Sequence, residues 1–256
     1  MSPNQTTQFI LDFDKGDPLR LDLPLPQGEA TAYDLLPALF AVADAITQYT
    51  YESLEAMGKT IGCGPGCKTC CYQLIPISEY EAVHLANVVR NMRPDQRSRI
   101  VKRFTRATTQ LDASALMTEL TTTFTHDVLD GRKMLEIKKR YWAQQIPCPF
   151  LENDSCSIYQ DRPMACRQYS VTSPPANCTH IYTINEAHEI VLHPVDVGGT
   201  LAAFSGEGLQ HSRIMPHVFS LLAERSLKAK QFPTLPAQQM MGRFLNLLAT
   251  CFSRKR

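Results

Sequence analysis

Nine cysteines constrain this chain of 256 residues more than any other feature. Eight of them fall into two groups. Cys63, Cys67, Cys70 and Cys71 form the first, and Cys148, Cys156, Cys166 and Cys178 the second; Cys251 stands alone near the C-terminus. In a reducing compartment, clustered thiols are metal ligands more often than structural disulfides. Thiolates are soft donors that select Zn²⁺, Cu(I) or iron–sulfur clusters over Mg²⁺ or Ca²⁺. Four of them complete a tetrahedral zinc site or a [4Fe–4S] cluster. Eight complete two such centres, or one centre with spare thiols. Vicinal side chains diverge, so Cys70 and Cys71 are not expected to share one ion: one ligates, and the other serves a second centre or stays free.

The surroundings of the thiols fit that chemistry. Gly64-Pro65-Gly66 lets the chain turn tightly between Cys63 and Cys67 and aim backbone N–H groups at sulfur. A four-thiolate zinc site carries a charge of about −2, which nearby cations offset. Lys68, Arg162 and Arg167 adjoin the cysteines in sequence. The competing readings are buried apolar thiols, preferred for Cys251, and a redox disulfide pair.

Composition narrows the setting. Lys plus Arg is 26 against Asp plus Glu 25, a near-balance that makes nucleic acid an unlikely partner for the chain as a whole. At 44% hydrophobic the chain has ample material for a core. The longest apolar run, Leu35 to Ala43, is broken by Pro37 and stopped by Asp44, whereas a span needs about 20 apolar residues. No basic start followed by an apolar block occurs before Asp17, so no secretory signal is expected. The expectation is a cytoplasmic protein with no membrane span and with a protein or small-molecule partner whose identity the sequence does not specify.

The pattern along the chain predicts a mainly α fold, with irregular Cys-rich metal-binding loops packed on a helical bundle and little β structure. Residues 1–30 carry four prolines and read as an extended N-terminal arm. Residues 31–230 read as a single Cys-cluster metal-binding domain with a helical insert at 78–145, and 231–256 as a C-terminal helix with a basic tail. Helical spacing runs from Asp34 to Met57. Ser78 and Glu81 form a capping box for a helix to about Asn91. Further helices are predicted for Pro94 to Leu111, Leu116 to Leu129, Lys133 to Gln145, Glu207 to Lys228 and Ala237 to Phe252. Asn153-Asp154 signals a turn in a compact segment up to Tyr159. Pro163 to Tyr169 reads as a short helix, Glu189 to Val197 as a short strand, and Gly198-Gly199 as a turn.

The combined pattern resembles the YkgJ-type cysteine-cluster family, also described as a zinc- or iron-chelating domain. The residues that carry the resemblance are Cys63, Cys67, Cys70 and Cys71, then Cys148-Pro149-Phe150-Leu151, Cys156-Ser157-Ile158-Tyr159, Arg162-Pro163 and Cys166-Arg167-Gln168-Tyr169, with Cys178 as the eighth cysteine. The match covers about residues 58–180. It implies metal chelation by these eight cysteines, with an iron–sulfur cluster, [4Fe–4S] above all, favoured over zinc, and electron transfer or cluster-dependent modification as the use. Phe150 and Ile158 would pack around the metal loop. Tyr159 and Tyr169 would hydrogen-bond to a cluster sulfur or a substrate, or else pack half-buried. A related branch includes a flagellin lysine N-methylase, which brings in methyl transfer.

Weaker signals remain. Cys63, Cys67 and Cys70 share the spacing of radical S-adenosylmethionine enzymes, but Thr69 replaces the usual aromatic residue and the following sequence is helical. A methylase-like enzyme dependent on S-adenosylmethionine is therefore the second alternative, after a structural zinc-binding interaction module. Arg90, Arg93, Arg97, Arg99, Lys102, Arg103 and Arg106 make a basic stretch that reads first as a solvated helix face. His180, close to Cys178, is a minor ligand candidate. No catalytic set is identifiable from spacing.

Overall fold

The structure is a computed structural model that describes residues 5–12, 18–125, 131–182, 188–205, 214–228 and 230–251. Helix dominates, as the periodicity predicts. The elements run β1 (Gln5–Leu11), β2 (Leu19–Leu25), β3 (Glu29–Ala30), α1 (Leu36–Ala56), β4 (Pro76–Ser78), α2 (Glu79–Asn91), α3 (Pro94–Ala113), α4 (Leu116–Thr125), α5 (Gly131–Ala143), β5 (Leu151–Glu152), β6 (Ser155–Cys156), α6 (Met164–Gln168), α7 (Val197–Ser205), β7 (Ile214–Pro216), α8 (Ser220–Lys228), β8 (Leu235–Pro236) and α9 (Ala237–Cys251). The strands form four antiparallel pairs: β1-β2, β3-β8, β4-β7 and β5-β6.

The first core gathers around α1. Leu36, Leu39, Phe40, Ala43 and Ile46 recur at helical spacing and are buried together with Met241, Phe244 and Leu248 of α9. The expected N-terminal arm is instead a hairpin in which Phe9 pairs with Leu21 and Leu11 with Leu19. Leu21, Leu23 and Leu25 alternate with exposed residues and enter this core. Period-two leucines, which bury one face of a strand, outweigh the prolines there. Pro24 is tolerated because a two-stranded ribbon leaves each strand an open edge.

Two further cores build the rest. Ala107 and Leu111 of α3, Leu116 and Leu120 of α4, and Ile137 and Tyr141 of α5 bury Leu74, Ile146, Val218 and Phe219. Leu85 and Val89 of α2 and Ile100 and Phe104 of α3 bury Phe150 and Ile158, with Cys148 and Cys156 packed against them. The helices between the cysteine groups thus clamp the second group from one side.

Other expectations change. The capping box on α2 is present, whereas the stretch expected as a strand at 189–197 forms isolated bridges, at Ile190 with Val171 and at Val195, and no continuous strand. Gly198 and Gly199 open α7 rather than making a turn, because the Asp196 carboxylate accepts the Gly199 N–H at 2.9 Å. The helix expected over Glu207 to Lys228 is interrupted at Ile214–Pro216, which pairs with β4, and the described part is helical as α8 from Ser220; residues 207–213 lie outside the described residues. Gly206, Glu207, Gly208 and the end of the helix expected at Leu116 to Leu129 lie outside the described residues.

Candidate metal centre

The first cysteine group is built from consecutive tight turns. Gly66 takes φ +84° and Cys67 N donates to Gly64 O at 3.1 Å. A 3₁₀ turn then spans Thr69–Tyr72, closed by Cys71 N to Lys68 O (2.9 Å) and Gln73 N to Cys70 O (3.1 Å). Gly62 is the residue this path cannot replace. Its N–H donates to Val171 O at 2.8 Å, and an added Cβ would lie 2.3 Å from Ser173 O.

The second group is threaded through a hairpin and two short helical turns. Asn153 and Asp154 both adopt positive φ to join β5 to β6, which places Cys156, as the turn signal predicts. Cys166 sits on α6, and Cys178 on a 3₁₀ turn at Pro175–His180. The two groups meet. Cys148 N donates to Cys71 O at 2.7 Å, the Lys68 ammonium reaches the Asp154 carboxylate at 2.6 Å, and the Thr69–Tyr72 turn lies against Pro175–His180.

Two long-range polar contacts hold α6 where the cysteines converge. Glu81, fully buried, accepts from Ser78 N at 2.8 Å in the capping box and, through its other oxygen, from Met164 N at 2.8 Å. One carboxylate therefore serves the first turns of both α2 and α6. Burial outweighs these bonds and pushes its pKa up. Arg167, 4% exposed, donates to Asp44 of α1 at 2.7 Å, to Arg162 O at 3.0 Å and to Gln160 O, and stacks over the Phe40 ring at 4.1 Å. Neither partnership is visible in sequence, because the residues paired are 83 and 123 positions apart.

The thiols themselves are all unpaired by disulfides. Burial pushes Cys148 up to about 12 and Cys178 up to about 11, and raises Cys63, Cys156 and Cys166. Cys70 is raised as well, first by its hydrogen bond with the Cys71 side chain and then by burial. The pattern of mutual repulsion maps the neighbours. Cys63 feels Cys67 and Cys70; Cys178 feels Cys63, Cys67 and Cys70; Cys148 feels Cys156 and Cys70; Cys166 feels Cys148, Cys70 and Cys156. Cys70 is common to both sets. The Arg162 guanidinium lowers Cys70 and Cys156 in opposition to this repulsion while stacking on Tyr159 at 3.7 Å.

Among the described residues, no three His, Cys, Asp or Glu side chains already stand close enough to hold one metal ion. The donor set nevertheless fits a thiophilic metal: eight free thiols from two groups, electrostatically coupled through Cys70, with a cation beside them. Loading would draw the sulfurs inward and expel their protons.

The remaining expectations fall out as follows. Phe150 and Ile158 do pack beside Cys148 and Cys156. Tyr169 donates to or accepts from His188 at 3.1 Å and accepts from Gln73 at 3.3 Å, while Tyr159 is 60% exposed beneath Arg162. The basic stretch is partly consumed by structure: Arg103 donates to Pro149 O and Leu151 O and pairs with Glu152, and Arg90 pairs with Glu224. His180 is exposed at the end of its turn. Cys251 closes α9, and its side chain lies outside the described residues. No helix among the described residues is long and apolar enough to cross a membrane.

A family model described as "CxxCxxCC: Putative zinc- or iron-chelating domain" matches residues 62–189, which include both cysteine groups and the helices between them. Neither a curated protein nor a solved structure matches the chain. With half its length covered by that match, the chain belongs to the CxxCxxCC family of zinc- or iron-chelating domains.

Proposed function

We propose that the chain chelates iron as an iron–sulfur centre through Cys63, Cys67, Cys70, Cys71, Cys148, Cys156, Cys166 and Cys178, and uses it in electron transfer or cluster-dependent modification. The observation that carries this reading is the hydrogen bond from Cys148 N to Cys71 O at 2.7 Å, which joins the two cysteine groups at their adjoining ends. The electrostatic neighbourhoods favour two quartets. Cys63, Cys67 and Cys178 take one of the vicinal pair, and Cys148, Cys156 and Cys166 take the other. When bound, iron–sulfur would supply one-electron chemistry. The protein's part is to hold the sulfurs on short turns, offset their charge with Arg162, and shield the second quartet behind Phe150 and Ile158.

Structural zinc is the second reading, favoured by the absence of a preassembled triad among the described residues: a site drawn together by its ion couples metal binding to folding. Anaerobic purification with elemental analysis and electron paramagnetic resonance separates the two. Iron with acid-labile sulfide and a signal on reduction supports the first. Colourless protein with stoichiometric zinc replaces it with the second, and the absence of either metal refutes both.

A further inference from the structure

The last turn of α5 holds a buried tyrosine. Tyr141 is 0% exposed, and its hydroxyl has no hydrogen-bond partner among the described residues. A buried donor is nearly always satisfied. The ring packs in the core that also buries Leu74, three residues after Cys71, and Ile146, two residues before Cys148. Tyr141 thus shares a core with residues that flank the inner ends of both cysteine groups, on the helix whose exit leads into Cys148. Its hydroxyl also senses the charge of Cys148 when that thiol ionises.

We propose that the Tyr141 hydroxyl is the hydrogen-bond donor to the Cys148 sulfur when the centre is loaded. This rests on the metal-chelating reading above. Unloaded, the neutral Cys148 thiol is a weak acceptor, and the hydroxyl is left idle. Loading converts that thiol to a thiolate, a strong acceptor, at the edge of the apolar core that holds Phe150 and Ile158. The O–H then spreads charge away from sulfur, lowers the energy of its lone pairs and fixes its direction. Tyr141 is a positioning residue, and it differs from Tyr159 and Tyr169 in having no competing partner among the described residues and no exposure.

The test compares the wild-type chain with Tyr141→Phe, which deletes only the hydroxyl. Each is titrated anaerobically with Co²⁺, and the Co²⁺ is then displaced by Zn²⁺. The sulfur-to-cobalt charge-transfer band, the competition affinity and the urea unfolding of the metal-free chain are read. The variant is expected to move the band to lower energy and to weaken affinity by about ten- to a hundredfold. Its metal-free unfolding midpoint stays level or rises, because an orphaned hydroxyl has been removed. An unmoved band overturns the proposal, whatever happens to affinity. So does an equal loss of stability in the metal-free and loaded chains, which would mean that the hydroxyl bonds within the fold. Absence of a charge-transfer band in the wild type refutes the chelating reading itself, and the proposal with it.

Discussion

Arg167 is where the helical scaffold and the candidate centre are tied together, and replacing it measures that tie. The side chain is 3% exposed and makes three hydrogen bonds, to Asp44, to Arg162 O and to Gln160 O, while its plane stacks on Phe40. Hydrogen bonds to a charged group contribute about 1.5–3 kcal/mol each, and a partly desolvated cation–π contact adds about 1–2 kcal/mol. These gross figures do not sum, because Arg167→Met also relieves the burial of a guanidinium. Against that, it strands two backbone carbonyls. The Asp44 carboxylate is 49% exposed and regains water, so its loss of a partner costs little. Breaking a buried charged network costs about 3–5 kcal/mol, and the exposure of Asp44 places Arg167→Met at the low end, about 3 kcal/mol.

The assay is urea unfolding of the metal-free chain under reducing conditions, with two companions. Asp44→Asn removes only the solvent-facing partner and is expected to cost about 1 kcal/mol or less. Arg167→Lys keeps the charge but loses the planar fork that reaches three acceptors at once, so it recovers only a minor part of the loss. An Arg167→Met chain within about 0.5 kcal/mol of wild type would refute the reasoning. Equality of Asp44→Asn with Arg167→Met would refute the claim that the backbone carbonyls matter most.

Cys67→Ser is expected to lower bound metal per chain while Cys251→Ser leaves it unchanged; full metal content in the Cys67 variant removes that residue from the ligand set. Gly62→Ala drives a Cβ to 2.3 Å from the Ser173 carbonyl oxygen, and overpacking against backbone costs about 1–3 kcal/mol, read as a lowered thermal midpoint; an unchanged midpoint would show that this approach relaxes freely. His217 is buried, which pushes its imidazole down to about 4 from an ordinary 6.5. The unfolded chain therefore binds the extra proton as pH falls from 6.5 to about 4, and His217 alone lowers stability across that window by about 3 kcal/mol, a contribution that His217→Leu should remove from the slope in urea titrations.

The contrast between what was legible and what was not follows sequence separation. The capping box at Ser78 and Glu81 is local, three residues apart, and its chemistry reads directly. The cysteines are legible for another reason: their residue type admits few uses, and spacings of three, two and zero beside glycine are hard to obtain from packing alone. The hairpin at residues 5–25 carried a readable signal in Leu19, Leu21, Leu23 and Leu25, but Pro18 and Pro24 mask it for a reader who weighs single residues above period. The stretch at 189–197 has the residue types of a strand but pairs only through isolated bridges at Ile190 and Val195, and the want of a continuous partner is something local sequence does not record. Gly198-Gly199 suggests a turn and conceals α7, although Asp196, three residues before Gly199, is an N-cap in plain view. The contacts that make the candidate centre one place are of a different order. Cys71 to Cys148, Glu81 to Met164 and Asp44 to Arg167 each join residues more than 70 positions apart. Each engages a backbone group or a half-exposed charge that has many other suitors in sequence. The cysteines thus announce the chemistry, while two buried polar side chains that are not ligands, Glu81 from α2 and Arg167 of α6 itself, decide where α6 and its sulfur stand.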